Sequence, residues 1–98
     1  MRRLTMLPVL DRSGVRLMAN ELRDMLDLGG AIGIDAGKVE RIGLAGIQLL
    51  LSALRTGAEG TTEIRLIAAS RAVEEAARVC GVADRLLGEL LADAEVAA

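Results

Sequence analysis

Histidine, phenylalanine, tyrosine and tryptophan are all missing from this 98-residue chain, and cysteine and proline occur once each. Without His, the side chain used most often as a general base and metal ligand near neutral pH is gone. Without aromatics there is no stacking platform for unpaired bases. A formal charge of −2 and a pI of about 5.1 leave no basic surplus for a phosphate backbone. No nucleic-acid partner is expected. Cys80 has no second cysteine to pair with, so no internal disulfide forms. Long apolar runs are missing too. The longest uncharged stretch, Ile42 to Leu54, falls short of the roughly 20 residues that span a bilayer, so direct membrane insertion is not expected. Met1-Arg2-Arg3 resembles a signal-peptide start, but Pro8 and Asp11 cut the apolar stretch behind it. A cytoplasmic location is expected.

What is present is aliphatic. Hydrophobic residues make up 52% of the chain, and Leu, Ile, Val, Ala and Met must build the whole core. That content argues against disorder. The length suits a single domain over residues 1–98, with the last few residues fraying.

Periodicity divides the chain into alternating elements. Leu4 to Leu7 reads as a short strand, ended or moved to a sheet edge by Pro8, with Val9 and Leu10 extending it. A helix fits Ser13 to Leu28, capped by Asp11 or Ser13, with Val15, Met18, Leu22, Met25 and Leu26 on one face. Gly29-Gly30 stops it. Ala31 to Asp35 suits a buried central strand, and Lys38 to Arg41 a loop. Leu44 to Arg55 reads as a second helix with a core stripe of Leu44, Ile47, Leu50, Leu51 and Leu54. Gly57 to Thr62 is a turn, and Glu63 to Ala68 alternates like a half-exposed strand. Ser70 caps a third helix whose inner face is Val73, Ala76, Ala77 and Cys80. Gly81 ends it, and Ala83 to about Ala92 forms a last helix. This alternation predicts an α/β fold, a small and mainly parallel central sheet with crossover helices.

The segment Asp35 to Leu51, DAGKVERIGLAGIQLLL, runs from a strand end through a short charged loop into an apolar helix. It holds no Ser, Thr, Tyr, Cys or His. Ligands of parallel sheets bind beyond the carboxyl ends of the strands, and here that edge offers Asp35 and little else. Asp35 is expected to accept hydrogen bonds from loop amides at Gly37 and beyond, not to bind metal or catalyse. Gly29-Gly30 and Gly33 do not form a phosphate loop. Gly43 and Gly46 open a helix whose N–H groups offer an anion site, the weaker reading. No cofactor and no enzymatic activity are expected.

Ile32 to Leu51 resembles a STAS domain (sulphate transporter and anti-sigma-factor antagonist). That family carries a strand ending in Asp-Leu-Ser, a loop with Val, then Asp-Ser-Ser/Thr-Gly-Leu opening a Leu-rich helix. Asp35-Ala36-Gly37 stands where Asp-Leu-Ser would, Val39 matches the loop Val, and Gly43-Leu44-Ala45-Gly46-Ile47 stands where Asp-Ser-Ser-Gly-Leu would. Asp35, Val39, Ile42, Gly46 and the apolar helix positions agree. The strand at Ile64 to Ala68, the helix at Ser70 to Cys80 and the closing Gly-Val-Ala-Asp-Arg-Leu-Leu are similar too. Pro-Val-Leu-Asp before a helix, then Ile-Asp-Ala-Gly-Lys-Val-Glu-Arg-Ile-Gly and Gln-Leu-Leu-Leu, resemble the small STAS proteins of alphaproteobacterial chemotaxis operons. Those also lack the regulatory Ser.

In the antagonists, a partner kinase phosphorylates the Ser after that Asp, and the added charge disrupts docking. Here the position is Leu44, so the resemblance implies no phosphorylation switch. It does imply a docking surface, with Lys38, Glu40, Arg41, Gly43, Ala45, Gln48, Leu49 and Ser52 as the residues that meet a protein partner. On this reading Ala45, Leu49, Ser52 and Ala53 point away from the core, and Leu49 is the anchor. The bland account of the same residues is a solvated loop and a helix covered by a neighbouring element. The implied partners are a chemotaxis component, a regulatory kinase, or the ATPase of a lipid-transporting ABC complex. A small ligand-binding domain is the rival from another class, and the apolar faces also allow a homodimer.

Overall fold

The element order is β1 (Arg2–Thr5), β2 (Val9–Leu10), α1 (Arg12–Leu28), β3 (Ile32–Ala36), β4 (Arg41–Ile42), α2 (Leu44–Glu59), β5 (Ile64–Ala69) and α3 (Arg71–Val79). A further helical stretch covers 83–88. This computed structural model describes residues 1–88 and 90. The strand β3 alternates apolar and small residues, and it takes the centre of a three-stranded sheet ordered β1-β3-β5. Both pairings are parallel, with Leu4 opposite Ile34 and Ile34 opposite Leu66. Ile32, Ile34 and Ala36 are sealed from solvent in one core with Leu22 of α1 and with Ile47 and Leu50 of α2.

The helix α1 begins at Arg12, and of the two caps that the sequence offers Asp11 takes the position. Asp11 Oδ1 accepts from the Gly14 N–H at 2.8 Å, satisfying one of the free donors of the first turn. At the other end, the Arg2 guanidinium donates to the carbonyls of Met25 and Gly29. A side chain of β1 thus takes up the acceptors that the helix end leaves open.

Three expectations need correcting. The first strand does not run on into Val9 and Leu10. The chain leaves the main sheet after Thr5, and β2 pairs in parallel with β4, Val9 opposite Arg41 and Leu10 opposite Ile42. The carbonyl of Pro8 accepts from the N–H groups of both Glu40 (2.7 Å) and Arg41 (3.1 Å), which fixes this second pairing. The expected loop at Lys38 to Arg41 is therefore strand at its end, and Val39 is buried within it.

The second correction concerns α2, which runs a turn beyond Arg55 and presents a rotated face. Gly46, Ile47, Leu50 and Ala53 are buried, while Leu51 and Leu54 are half-buried. Leu44 is 61% exposed. Placing Leu44 inward and Ala53 outward was thus wrong on both counts. Gly46 explains the rotation: a Cβ there would lie 2.6 Å from Ile42 Cγ1 and 3.3 Å from Leu10 Cβ. The helix seats on β2 and β4 through the bare side of Gly46. That choice carries Leu50 and Ala53 inward and turns Leu44 out.

The third is Cys80. Ser70 Oγ accepts from the Val73 N–H at 3.2 Å and starts α3 as predicted, with Val73 and Ala77 buried. Cys80 is the C-cap of α3, its N–H still donating to the Ala76 carbonyl, and it is exposed and not part of the inner face. The chain turns at Gly81, and Val82, Leu86 and Leu87 fill the core instead. The predicted last helix is present over 83–88 and at 90; its remaining part lies outside the described residues.

Candidate functional site

All three strands of the main sheet end at one edge, because they run parallel. Asp35 sits there. Its Oδ1 accepts from the Gly37 N–H at 2.9 Å, as the sequence predicts, and its Oδ2 lies 3.9 Å from Arg3 Nη1. The arginine comes from the neighbouring strand, which sequence reasoning did not foresee. With one oxygen holding the turn and the other facing a guanidinium, the carboxylate has a structural task. Among the described residues, no three His, Cys, Asp or Glu side chains gather.

The more informative surface lies beside β2 and β4. Two glycines shape it. A Cβ on Gly14 would lie 2.3 Å from the Val9 carbonyl oxygen, so only glycine lets the first turn of α1 press onto β2. Gly46 does the same for the first turn of α2 against β4. Both helix starts are thereby drawn onto one small strand pair. A groove of about 560 Å³ results, formed by Val9, Arg12 and Val15 on one side and by Arg41, Ile42 and Leu44 on the other. Val9 and Leu44 are exposed hydrophobic residues.

The sequence-predicted residues fall into three groups. Arg41, Gly43 and Ala45 are exposed and line the groove with Leu44. Gln48 and Ser52 are exposed further along the outward side of α2, and Lys38 and Glu40 are exposed on the connection before β4. Leu49 is half-buried against the core, so it is no outward anchor. The exposed large hydrophobic side chain on this helix is Leu44. Val9, Arg12 and Val15 were missed. Their signal was the parallel pairing of two two-residue strands, which no periodicity can reveal.

Charge in the groove is set by which groups are already engaged. Asp11 spends its carboxylate on the Gly14 N–H. Arg12 and Arg41 are exposed. Neither helix carries an acidic residue in its first turn, and Gly43 gives α2 no side-chain cap. A second groove, of about 610 Å³, lies at the far end of α2 between Leu54, Ile64 and Leu86, with Arg55, Asp84 and Arg85 at its rim.

The chain thus combines a parallel α/β core with an apolar groove at the head of its second helix. The family model described as Mlab, STAS domain, matches residues 3–92, and the chain belongs to the STAS domain family. No curated protein and no solved structure matches it. The observed small parallel sheet with its helices accords with the STAS fold. Domains of this family are generally regulatory and non-enzymatic, and they commonly mediate protein–protein interactions. No helix among the described residues is long and apolar enough to cross a membrane.

Proposed function

We propose that this chain acts as a single non-enzymatic docking domain. It binds a cytoplasmic signalling protein through the outward side of α2, with no serine-phosphorylation switch. The exposure of Leu44 carries this reading. It is the first residue of the helix, it is 61% exposed, and it replaces the hydroxyl that the family resemblance puts there. An isolated surface leucine needs no explanation. Leu44 is not isolated: Val9, Ile42 and Ala45 share its groove. Together they give the reading a contiguous apolar strip at the head of α2.

The outward side is Leu44, Ala45, Gln48 and Ser52, with Arg41 at the rim. A charge placed at its centre must be desolvated on docking, at several kcal/mol unless paired. Ala45→Glu should therefore weaken binding about a hundredfold. The fold should hold, because an exposed Glu in a first helical turn is favourable. The test is affinity capture from native lysate with wild type and Ala45→Glu in parallel, read by mass spectrometry and circular dichroism. A stoichiometric partner lost only in the folded variant supports the reading, and its identity separates a chemotaxis component, a regulatory kinase and a transporter ATPase. Equal capture by both proteins refutes the docking face. Incubation with ATP and lysate tests the second half of the proposal: stoichiometric phosphate on Ser52 that alters partner binding would overturn the absence of a switch.

A further inference from the structure

Resting on that docking reading, we infer that the groove between β2–α1 and β4–α2 receives an acidic amphipathic segment of a partner protein. Its apolar side chains would lie on Val9, Ile42 and Leu44, and its carboxylates would meet Arg12 and Arg41.

The occupant follows from what lines the groove. Its floor is aliphatic, and Val9 and Leu44 remain 39% and 61% exposed. The charged groups that line it are Asp11, Arg12 and Arg41. Asp11 is held by the Gly14 N–H and faces the first turn of its own helix. Two arginines against one carboxylate give the lining a formal charge of +1, although the whole chain carries −2. Glu40, exposed just before Arg41, is the nearest opposing carboxylate in sequence. Arginine suits such a rim because its planar fork matches a carboxylate with two parallel hydrogen bonds. An anionic lipid surface fits less well. Its apolar residues line a groove of about 560 Å³, which suits a narrow chain segment better than a flat sheet of headgroups.

The arrangement also differs from the surface that the family resemblance implies. That surface belongs to the loop, the second helix and the start of the third helix. Here half of the lining comes from β2 and the first turn of α1, brought in by Gly14 and Gly46. A partner reading this groove would touch two separate segments of chain and be sensitive to Arg12.

The experiment uses the full chain and two synthetic helical peptides. Both carry Leu at i, i+3 and i+4 spacing and one Trp. One has Glu at the flanking positions and the other has Lys at the same places. The chain has no Trp or Tyr, so peptide fluorescence is read without background. The Glu peptide should bind and shift backbone amides over 9–15 and 41–48, and the Lys peptide should not. The double variant Arg12→Glu, Arg41→Glu should bind the Glu peptide about tenfold more weakly or worse, and should now accept the Lys peptide. Both positions are exposed, so circular dichroism should be unchanged.

Failure of the Glu peptide to bind overturns the inference. So does equal binding of both peptides, or shifts that map to the groove between Leu54 and Leu86. Two further arms test other occupants. Co-sedimentation of wild type with phosphatidylglycerol vesicles, or concentration-dependent dimers whose interface maps to this groove, would each replace the proposed segment. The two proposals fail separately. Loss of the captured partner in Ala45→Glu with no binding of the Glu peptide leaves docking intact and removes only the acidic segment.

Discussion

Leu44 and Leu50 sit less than two turns apart on α2 and have opposite fates. Leu50 is 0% exposed and Leu44 is 61% exposed. The inward side of the helix, Gly46, Ile47, Leu50 and Ala53, is a packing surface against β5 and the strand pair. The outward side, Leu44, Ala45, Gln48 and Ser52, is exposed among the described residues. One helix therefore carries a continuous apolar surface inward and, at the start of its outward side, one exposed leucine beside Ala45. The same residue type serves stability in one place and is available for recognition in the other.

That contrast breaks most readily on its inward side. Leu50→Ala should cost about 2–5 kcal/mol, because it removes a fully buried side chain from a close-packed site. Urea midpoints measure it. A loss below that range would mean the helix can slide or rotate, and that the division into two sides is soft.

Gly46→Val comes next. Its first carbon would lie 2.6 Å from Ile42 Cγ1, so helix and strand pair must separate. Overpacking of this kind costs about 1–3 kcal/mol. The change should also disturb the groove, since Gly46 sets how α2 seats on β4. Amide shifts over 41–48 that exceed those elsewhere would sharpen the link between the seat and the outward side.

These two substitutions show how far the sequence could be read. The order of the three main strands and their helices, the parallel sheet and the cap at Ser70 were legible, with Asp11 one of two caps offered for α1, because periodicity and hydrogen-bonding side chains are local signals. The rotation of α2 was not. A helix with Leu at 44, 49, 50, 51 and 54 offers apolar residues on most of its circumference, so its own pattern does not choose a face. The choice is made where Gly46 meets Ile42 and Leu10, and Leu10 comes from a segment far away in sequence. The exposure of Cys80 escaped for a related reason. The end of α3 decides it, and helix ends are the least determined part of a periodic pattern. Half of the candidate groove was invisible because Val9 meets Arg41 through a strand pair two residues long.

Asp35→Asn should have a smaller effect, no more than about 1 kcal/mol. An amide oxygen still accepts from the Gly37 N–H, and the pair with the largely exposed Arg3 is worth little at 3.9 Å. The midpoint should stay well above that of Leu50→Ala. If Asp35→Asn were the more damaging of the two, the carboxylate would have a task that the hydrogen bond to Gly37 does not account for.

Leu44→Ala should have the smallest effect on stability and the clearest meaning. It is the same chemical change as Leu50→Ala, on the same helix, at an exposed position. Surface substitutions of this kind usually fall within about ±0.5 kcal/mol. Ala also has the better helix propensity by a small margin, which offsets part of what the shorter side chain gives up in the groove. Binding should respond differently. Anchors in the centre of an interface cost at least about 2 kcal/mol on truncation, which is roughly thirtyfold in affinity. The pair of measurements, a urea midpoint and a dissociation constant for the captured partner, should therefore separate for Leu44→Ala. A variant that loses stability but not affinity would place Leu44 with Leu50, as part of the fold. A variant that keeps both would leave the outward side of α2 without a use at that position.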